Sequence, residues 1–406
     1  MHGGRRVSHF DIAIVGAGLT GMALAAALRN AELSIALIDA EAPSLSEFAI
    51  SPARDGFELE SGVPARVSAI NQRSMAFLTR IAGAPVPASP YTHMHVWDQL
   101  GSAQIRFDAA DAGCAELGFI VPNAAMINVL VQSLESADHV TFVRGEITSC
   151  EREDGAMRVG FETGAITADL VIGADGGNSS IRRMAGMRSL KREDGQSAVV
   201  AAVMLDRSLA ATAHQCFTAT GPLALLPVAA EHPELASIVW SAADVEVGRL
   251  LDLDAAEFCA EMTYCIGDEV GQAVSVDTRF SFPLRRQFTP QVARRGVVLA
   301  GDAAHAIHPL GGQGVNLGFA DVEKLAELTQ AAVMAGEAPG DGSWLQEYAF
   351  ARGPYNAAVV GAMEALSVLY GRTNPALVFL RNRGMRITND LPFVKAQIAR
   401  VASGML

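Results

Sequence analysis

The sequence has little charge, and least of all positive charge. Only 18% of its 406 residues are charged and the formal net charge is −13, so no basic footprint is present to displace counterions from a phosphate backbone. Nucleic acid is excluded as a partner. Cysteine is scarce too: five residues, at 114, 150, 216, 259 and 265, are odd in number and form no C-x-x-C pair. A disulfide framework is therefore not expected, and a reducing cytosol is. No run of about 18 or more uncharged apolar residues occurs, so no spanning segment is expected. The leading MHGGRRVSH lacks the apolar run of a signal peptide. Its Arg5-Arg6 pair leads straight into a strand-turn-helix pattern and not into a cleavable segment. A cytoplasmic protein follows, with peripheral contact at the inner membrane face left open. What is abundant is apolar surface, at 50% hydrophobic residues. That excludes a disordered chain and suits a lipophilic partner.

A chain of this length exceeds the point at which one core stops growing, so two packed domains and a helical tail are expected. The first 40 residues read as a βαβ unit: FDIAIVG as strand, an alanine-rich helix to about Ala31, and SIALIDA as the second strand. Segments 41–65 and 83–92 look like loops. Short β-type runs such as SAVVAAVML, LALLPVA and ASIVWSA recur between 185 and 285, and GVVLAGDAAH is a buried strand ending in a turn. The expected architecture is α/β: a Rossmann-like dinucleotide-binding domain from 1–184 and 286–345, an inserted mixed-sheet substrate domain at 185–285 to which 76–115 partly contributes, and a C-terminal helical segment at 346–406. In that tail, residues 355–370 are apolar nearly all round and are expected to be buried. Residues 371–406 carry six Lys or Arg against Asp390 alone. Leu391, Val394, Ile398 and Val401 recur there at helical spacing. An ordinary core-facing stripe is the favoured reading, and a basic face on an anionic membrane the alternative.

Gly16-Ala17-Gly18-Leu19-Thr20-Gly21 fits G-x-G-x-x-G between a strand and a helix. The first glycine makes the tight turn, the second lets the backbone approach a pyrophosphate, and the third lets helix and strand pack closely. Asp39, 23 positions after Gly16, ends the second strand where a carboxylate accepts from ribose hydroxyls. These residues indicate a dinucleotide but do not separate NAD from FAD. Two further motifs decide it: LVIGADGGNSSIRR, and GVVLAGDAAHAIHPLGGQGVNLGFAD. Asp302 follows a buried strand at a Gly-Asp turn, placed to take a ribityl hydroxyl. Gly311, Gly312 and Gly314 bring backbone N–H groups to a helix start, a place for pyrophosphate or an electron-rich ring edge. Asp175 and Arg182 fit either a flavin-type turn or a turn aspartate with a local ion pair.

These three motifs, in this order, resemble those of the aromatic-ring flavin monooxygenases related to p-hydroxybenzoate hydroxylase. Within that group the chain resembles the ubiquinone-biosynthesis hydroxylases, through HPLGGQGVNLGFAD and also RVSAINQRSMAFLTR, LGFIVPN, GPLALLPV, EYAFAR, LRNRGM and LPFVK. The family more often carries alanine where Gly311 stands. The resemblance implies that Gly16, Ala17, Gly18, Leu19, Thr20 and Asp39 hold the adenosine half of FAD. Arg66 would meet the pyrophosphate, Asn123 and Ile147 would flank the cofactor, and Asp175 and Asp302 would belong to its turns, Asp302 at the ribityl chain. Pro309, Gly312, Gly314, Val315 and Asn316 would lie along the isoalloxazine, with the backbone of Gly312, Gln313 and Gly314 giving electrostatic support. No side chain is named as a general base. With one dinucleotide fingerprint, NAD(P)H or another electron donor would visit transiently. The implied reaction is hydroxylation of a polyprenylated phenol by dioxygen through a flavin hydroperoxide, the substrate being a lipophilic aromatic compound and a ubiquinone-biosynthesis complex a further partner. A flavin monooxygenase of another aromatic substrate and a non-catalytic FAD-binding scaffold are the alternatives.

Two histidine pairs invite a metal and are assigned none. His305 and His308 have no carboxylate or cysteine to complete a site, and Pro309 breaks any helix that would pair them. His93 and His95 point to one side of a strand as surface or packing residues.

Overall fold

The computed structural model describes residues 8–43, 45, 66–192, 195–340 and 342–404. Arg5, Arg6 and most of the loop expected at 41–65 lie outside the described residues.

The first apolar run forms the strand Ser8–Val15, the glycine turn leads into the helix Leu19–Leu28, and the chain returns through the strand Ile35–Asp39. Ser8–Val15 lies between parallel neighbours on both sides, with Ile14 opposite Leu37 and Ile172. Its second half, Ile12–Val15, is buried on both faces and is apolar without alternation, as parallel strands are. The sheet runs in the order 293–294, 297–299, 164–173, 8–15, 35–39, 140–144, and the hairpin 147–153/156–161 is attached at 164–173. Three of these parallel strands end side by side in the three sequence motifs: Val15 before Gly16, Gly173 before Asp175, and Leu299 before Asp302. In a doubly wound sheet the carboxyl ends of the strands are where ligands bind. The turns are tied to one another, Ala174 N donating to Val15 O at 2.8 Å and Ala300 N to Gly173 O at 3.0 Å.

A second sheet runs 273–276, 196–205, 235–243, 222–227, 212–217, 93–98, 104–108, with 280–283 also paired to 196–205. Its parallel pairing of 93–98 with 212–217 draws residues from the 76–115 stretch into it. One face packs Trp240 and Leu223 against Leu250 and Phe258 of the helices Asp244–Asp252 and Ala255–Ile266. The other face looks toward the motif turns.

Three helices complete the chain: Trp344–Tyr370, Pro375–Asp390 and Pro392–Ala402. The first enters the core of the dinucleotide-binding sheet through Trp344, Leu345 and Tyr348, whose hydroxyl donates to Leu299 O at 3.0 Å. The second docks on the other sheet through a buried ion pair, Arg381 Nε to Asp98 Oδ2 at 2.6 Å and Nη2 to Oδ1 at 3.0 Å. Arg381 Nη1 donates to the carbonyls of Leu369, Tyr370 and Arg372, satisfying acceptors that the end of helix 344–370 leaves orphaned.

This docking overturns two expectations. Between residues 355 and 370 only Asn356 is buried, and the stripe Leu391, Val394, Ile398 and Val401 faces outward with Phe379, Leu380 and Phe393. The reason is local. Helix 375–390 packs inward through polar Arg381 and Asn382, with Met385, and helix 392–402 through Ala399 against Ala109, Ala112 and Leu117, so both turn most of their larger apolar side chains to the surface. The resulting patch belongs to the class that marks a protein or lipid contact. Among the described residues no helix is long and apolar enough to cross a membrane.

Candidate active site

Gly16 adopts φ 104°, and a Cβ there would lie 2.4 Å from Ala174 O, so the turn admits only glycine. At Gly21 a Cβ would meet Gly16 O at 1.8 Å, which explains the third glycine as the close contact of helix and strand. Gly18 is different: a Cβ there meets no protein atom within 4 Å. Packing does not require that glycine, which faces a cleft of about 830 Å³. Helix 19–28 starts at Gly18 with no side-chain cap, so its first N–H groups and positive dipole end are free for an anion.

Gly16, Gly18, Leu19, Thr20, Asp39, Arg66, Asn123, Ile147, Asp175 and Asp302 share the walls of this cleft. Ala17 contributes through its backbone, its N–H donating to Asp39 Oδ2 at 2.6 Å; Asp39 thus braces the glycine turn as well as facing the cleft. Asn123 starts helix 123–134, and its Oδ1 accepts from Ser68 Oγ at 2.7 Å. Asp175 Oδ2 accepts from Ser180 N at 2.6 Å and Ile181 N at 3.2 Å, capping the short helix 180–184. Arg182 does not turn to Asp175. Its buried guanidinium donates to Ala303 O at 2.7 Å and Gly177 O at 2.8 Å, lacing the second motif to the third.

A second cavity of about 710 Å³ adjoins the first, and Arg66, Asp302, Gly314 and Val315 line both. Pro309, Gly312 and Gln313 form its floor beside the start of helix 313–334. Gly312 holds φ 64°, and a Cβ there would sit 2.8 Å from that of Ala69. Asn316, expected along the same surface, turns its side chain away. Its Oδ1 accepts from Asn71 N at 2.9 Å while Nδ2 donates to Ala69 O at 2.9 Å and Gly312 O at 3.1 Å, so it holds the glycine loop in place. Asp302 opens onto both cavities, yet the protein around it displaces enough water to raise its pKa; His305 and Arg66 pull the other way.

Beneath the Asp302 turn lies a network the sequence reading missed. Asp321, wholly buried in helix 313–334, accepts from Gly301 N at 3.1 Å, His305 Nε2 at 2.6 Å, Arg352 Nε at 2.8 Å and Asn356 Nδ2 at 3.0 Å. Burial alone would raise the Asp321 pKa, but His305 and Arg352 hold it down at about 2. For His305 burial acts to lower the pKa, and Asp321 overrides it to leave it raised. His305 thus has the carboxylate that the sequence reading denied it, as an ion pair. Among the described residues no group of three or more metal-ligating side chains occurs. His93 and His95 also have partners, Asp108 at 2.9 Å and Gln104 at 2.7 Å.

Two uncapped helix starts, carboxylates (Asp39, Asp175 and Asp302) at or just after the ends of three of four neighbouring parallel strands and a glycine that only a ligand in the cleft would require fit an extended dinucleotide. Comparison with known proteins agrees, since the FAD binding domain family matches residues 9–362. The chain belongs to this flavoprotein family. Across 97% of its length it is 31% identical to 3-demethoxyubiquinol 3-hydroxylase of Escherichia coli, covering 98% of that protein. It is 31% identical to the ubiquinone biosynthesis monooxygenase COQ6 of Xenopus tropicalis, covering 97% of this chain and 93% of that one. Among solved structures, p-nitrophenol 4-monooxygenase from Pseudomonas putida superposes with a TM-score of 0.75 over 97% of both chains at 20% identity. This flavoprotein is thus an FAD-dependent monooxygenase of the ubiquinone-hydroxylase group, with the mixed α/β fold of flavin monooxygenases.

Proposed function

We propose that this flavoprotein hydroxylates the aromatic ring of a polyprenylated phenol on the way to ubiquinone. The observation that carries this is the second cavity. Its floor is the glycine loop 309–315, its walls are mainly apolar, and at its far side stand Met363, Ile398, Ala399 and Ala402 of the C-terminal helices. Ile398 belongs to that wall and is also 43% exposed, so the cavity reaches the outward apolar surface where an isoprenoid tail can leave.

In this reading Gly16, Ala17, Gly18 and Asp39 hold the adenosine end of FAD, Arg66 and the start of helix 19–28 its pyrophosphate, and Asp302 its ribityl chain. Bound FAD supplies the activation of dioxygen and delivery of one oxygen atom to the ring. The protein's own part is to place the ring over the 309–315 loop, exclude water, and present the N–H groups of Gly312, Gln313 and Gly314 to negative charge developing there. A reduced nicotinamide or another donor reaches the flavin transiently. The outward patch of Phe379, Leu380, Phe393 and Val394, interleaved with exposed Arg383, Arg386 and Arg400, would rest on an anionic membrane that holds the substrate.

The test is product analysis with phenols carrying progressively longer prenyl tails. Hydroxylated product should form with kcat/KM rising with tail length, because remote apolar binding positions the ring. Equal turnover of tail-free and long-tailed phenols would contradict the reading.

A further inference from the structure

The roof of the second cavity is the open face of the second sheet. Gln215 lies directly opposite Ala224, and Ala224 opposite Val239, in one row across three strands. Paired residues share a face, and all three line the cavity. The next row, His214, Leu225 and Ile238, turns to the opposite side, where Leu225 and Ile238 join the core under the helices. Around Gln215 the roof is otherwise apolar: Met94, Phe107, Ala224, Leu226 and Val239.

Gln215 is 6% exposed, and among the described residues its amide has no hydrogen-bond partner. That amide opens into the cavity, so a ligand that covers it without bonding to it strips it of water and leaves it unpaired, at a cost in binding. Nothing in the roof offsets that cost, and neither can an isoprenoid tail, which has no polar atom. A hydroxylated ring can.

We infer that Gln215 is the residue that selects the phenol, its Oε1 accepting the ring O–H and so setting the ring's orientation above the 309–315 loop. The inference rests on the cavity being the substrate site. It adds that discrimination for the ring hydroxyl comes from this one amide, while Arg66 and Asp302 on the opposite side serve the cofactor. A site built to bond a hydroxyl rejects the analogue lacking it, because its own polar group is left unpaired.

The experiment titrates the FAD-loaded enzyme with a short-tailed 2-prenylphenol and with the corresponding prenylbenzene, following the flavin absorbance change, for wild type, Gln215→Leu and Gln215→Ala. Wild type should prefer the phenol by about tenfold or more. Both variants should lose that preference, with the leucine variant binding prenylbenzene at least as tightly as wild type does and with FAD content unchanged. Gln215→Glu, which keeps an acceptor, should restore part of the preference. Retained preference in the leucine variant, no preference in wild type, or loss of FAD from both variants would each overturn the assignment. Product analysis separates the two layers. If wild type fails to hydroxylate long-tailed phenols yet shows a preference that Gln215→Leu erases, the proposed reaction falls and the recognition role stands.

Discussion

Asp321 touches neither cavity, yet its replacement by asparagine should damage both stability and cofactor binding. The side chain accepts four hydrogen bonds, two of them from His305 and Arg352, at 0% exposure of its own. Asparagine keeps the volume and removes the charge, leaving the buried His305 and Arg352, at 1% and 12% side-chain exposure, without their counter-ion. Removing one partner of a buried ion pair costs about 3–5 kcal/mol. With a urea dependence of roughly 3 kcal/mol/M, the lower figure moves the apoprotein midpoint down by about 1 M. The bond from Gly301 N is weakened too, so the adjacent Asp302 turn loosens and FAD affinity should fall about tenfold. Urea titration of apoprotein followed by circular dichroism, with FAD binding by fluorescence quenching, reads both effects. Asp302→Ala is the control, losing FAD while leaving the apoprotein midpoint in place. An Asp321→Asn protein with unchanged midpoint and FAD affinity would refute the idea that this network supports the turn.

The same network predicts a pH dependence. The His305 pKa is raised by Asp321, so its stabilising contribution is complete below the unfolded value near 6.5 and is lost as pH rises through the folded one. Apoprotein stability should therefore drop on the alkaline side, and His305→Gln should flatten that drop. On the acid side Asp321, held at about 2, contributes above the unfolded value near 3.9 and loses it as pH falls toward 2. Gly18→Val should yield folded protein lacking FAD, since its side chain meets only the cleft, whereas Gly16→Ala should lower stability itself; absorbance at the flavin bands and thermal melting distinguish them. Flotation on anionic vesicles should weaken with salt and in the Arg383→Gln, Arg386→Gln double variant, with equal flotation counting against a membrane-facing patch. Arg381 is unsuited to that test, because its loss would leave Asp98 buried and unpaired.

The βαβ unit and the three ligand turns were legible in the sequence because each is a contiguous run whose glycines answer a local constraint: the φ of Gly16 and Gly312, and the close approach at Gly21. Asp302 could be placed for the same reason, as it directly follows a buried strand. The Asp321 network was not legible. Its members lie at 301, 305, 321, 352 and 356, and an aspartate inside a helix reads as a solvated residue until tertiary packing surrounds it. Arg381 and Asp98 are 283 positions apart, and without that pair the outward turn of Phe379 and Leu380 cannot be foreseen. Apolar periodicity in 391–401 marked a stripe correctly but not which way it points. Gln215 gave no signal at all, since one amide in an apolar strand acquires meaning only from the face it occupies.

The proposed reaction of this flavoprotein puts an oxygen atom from dioxygen onto a lipophilic phenol. Incubating FAD-loaded protein with a reductant, a long-tailed prenylphenol and isotopically labelled dioxygen, then repeating with labelled water, tests it directly by mass spectrometry of the product. One labelled atom in the new hydroxyl is expected from dioxygen and none from water. Label arriving from water, or product formed at full rate under nitrogen, would contradict it.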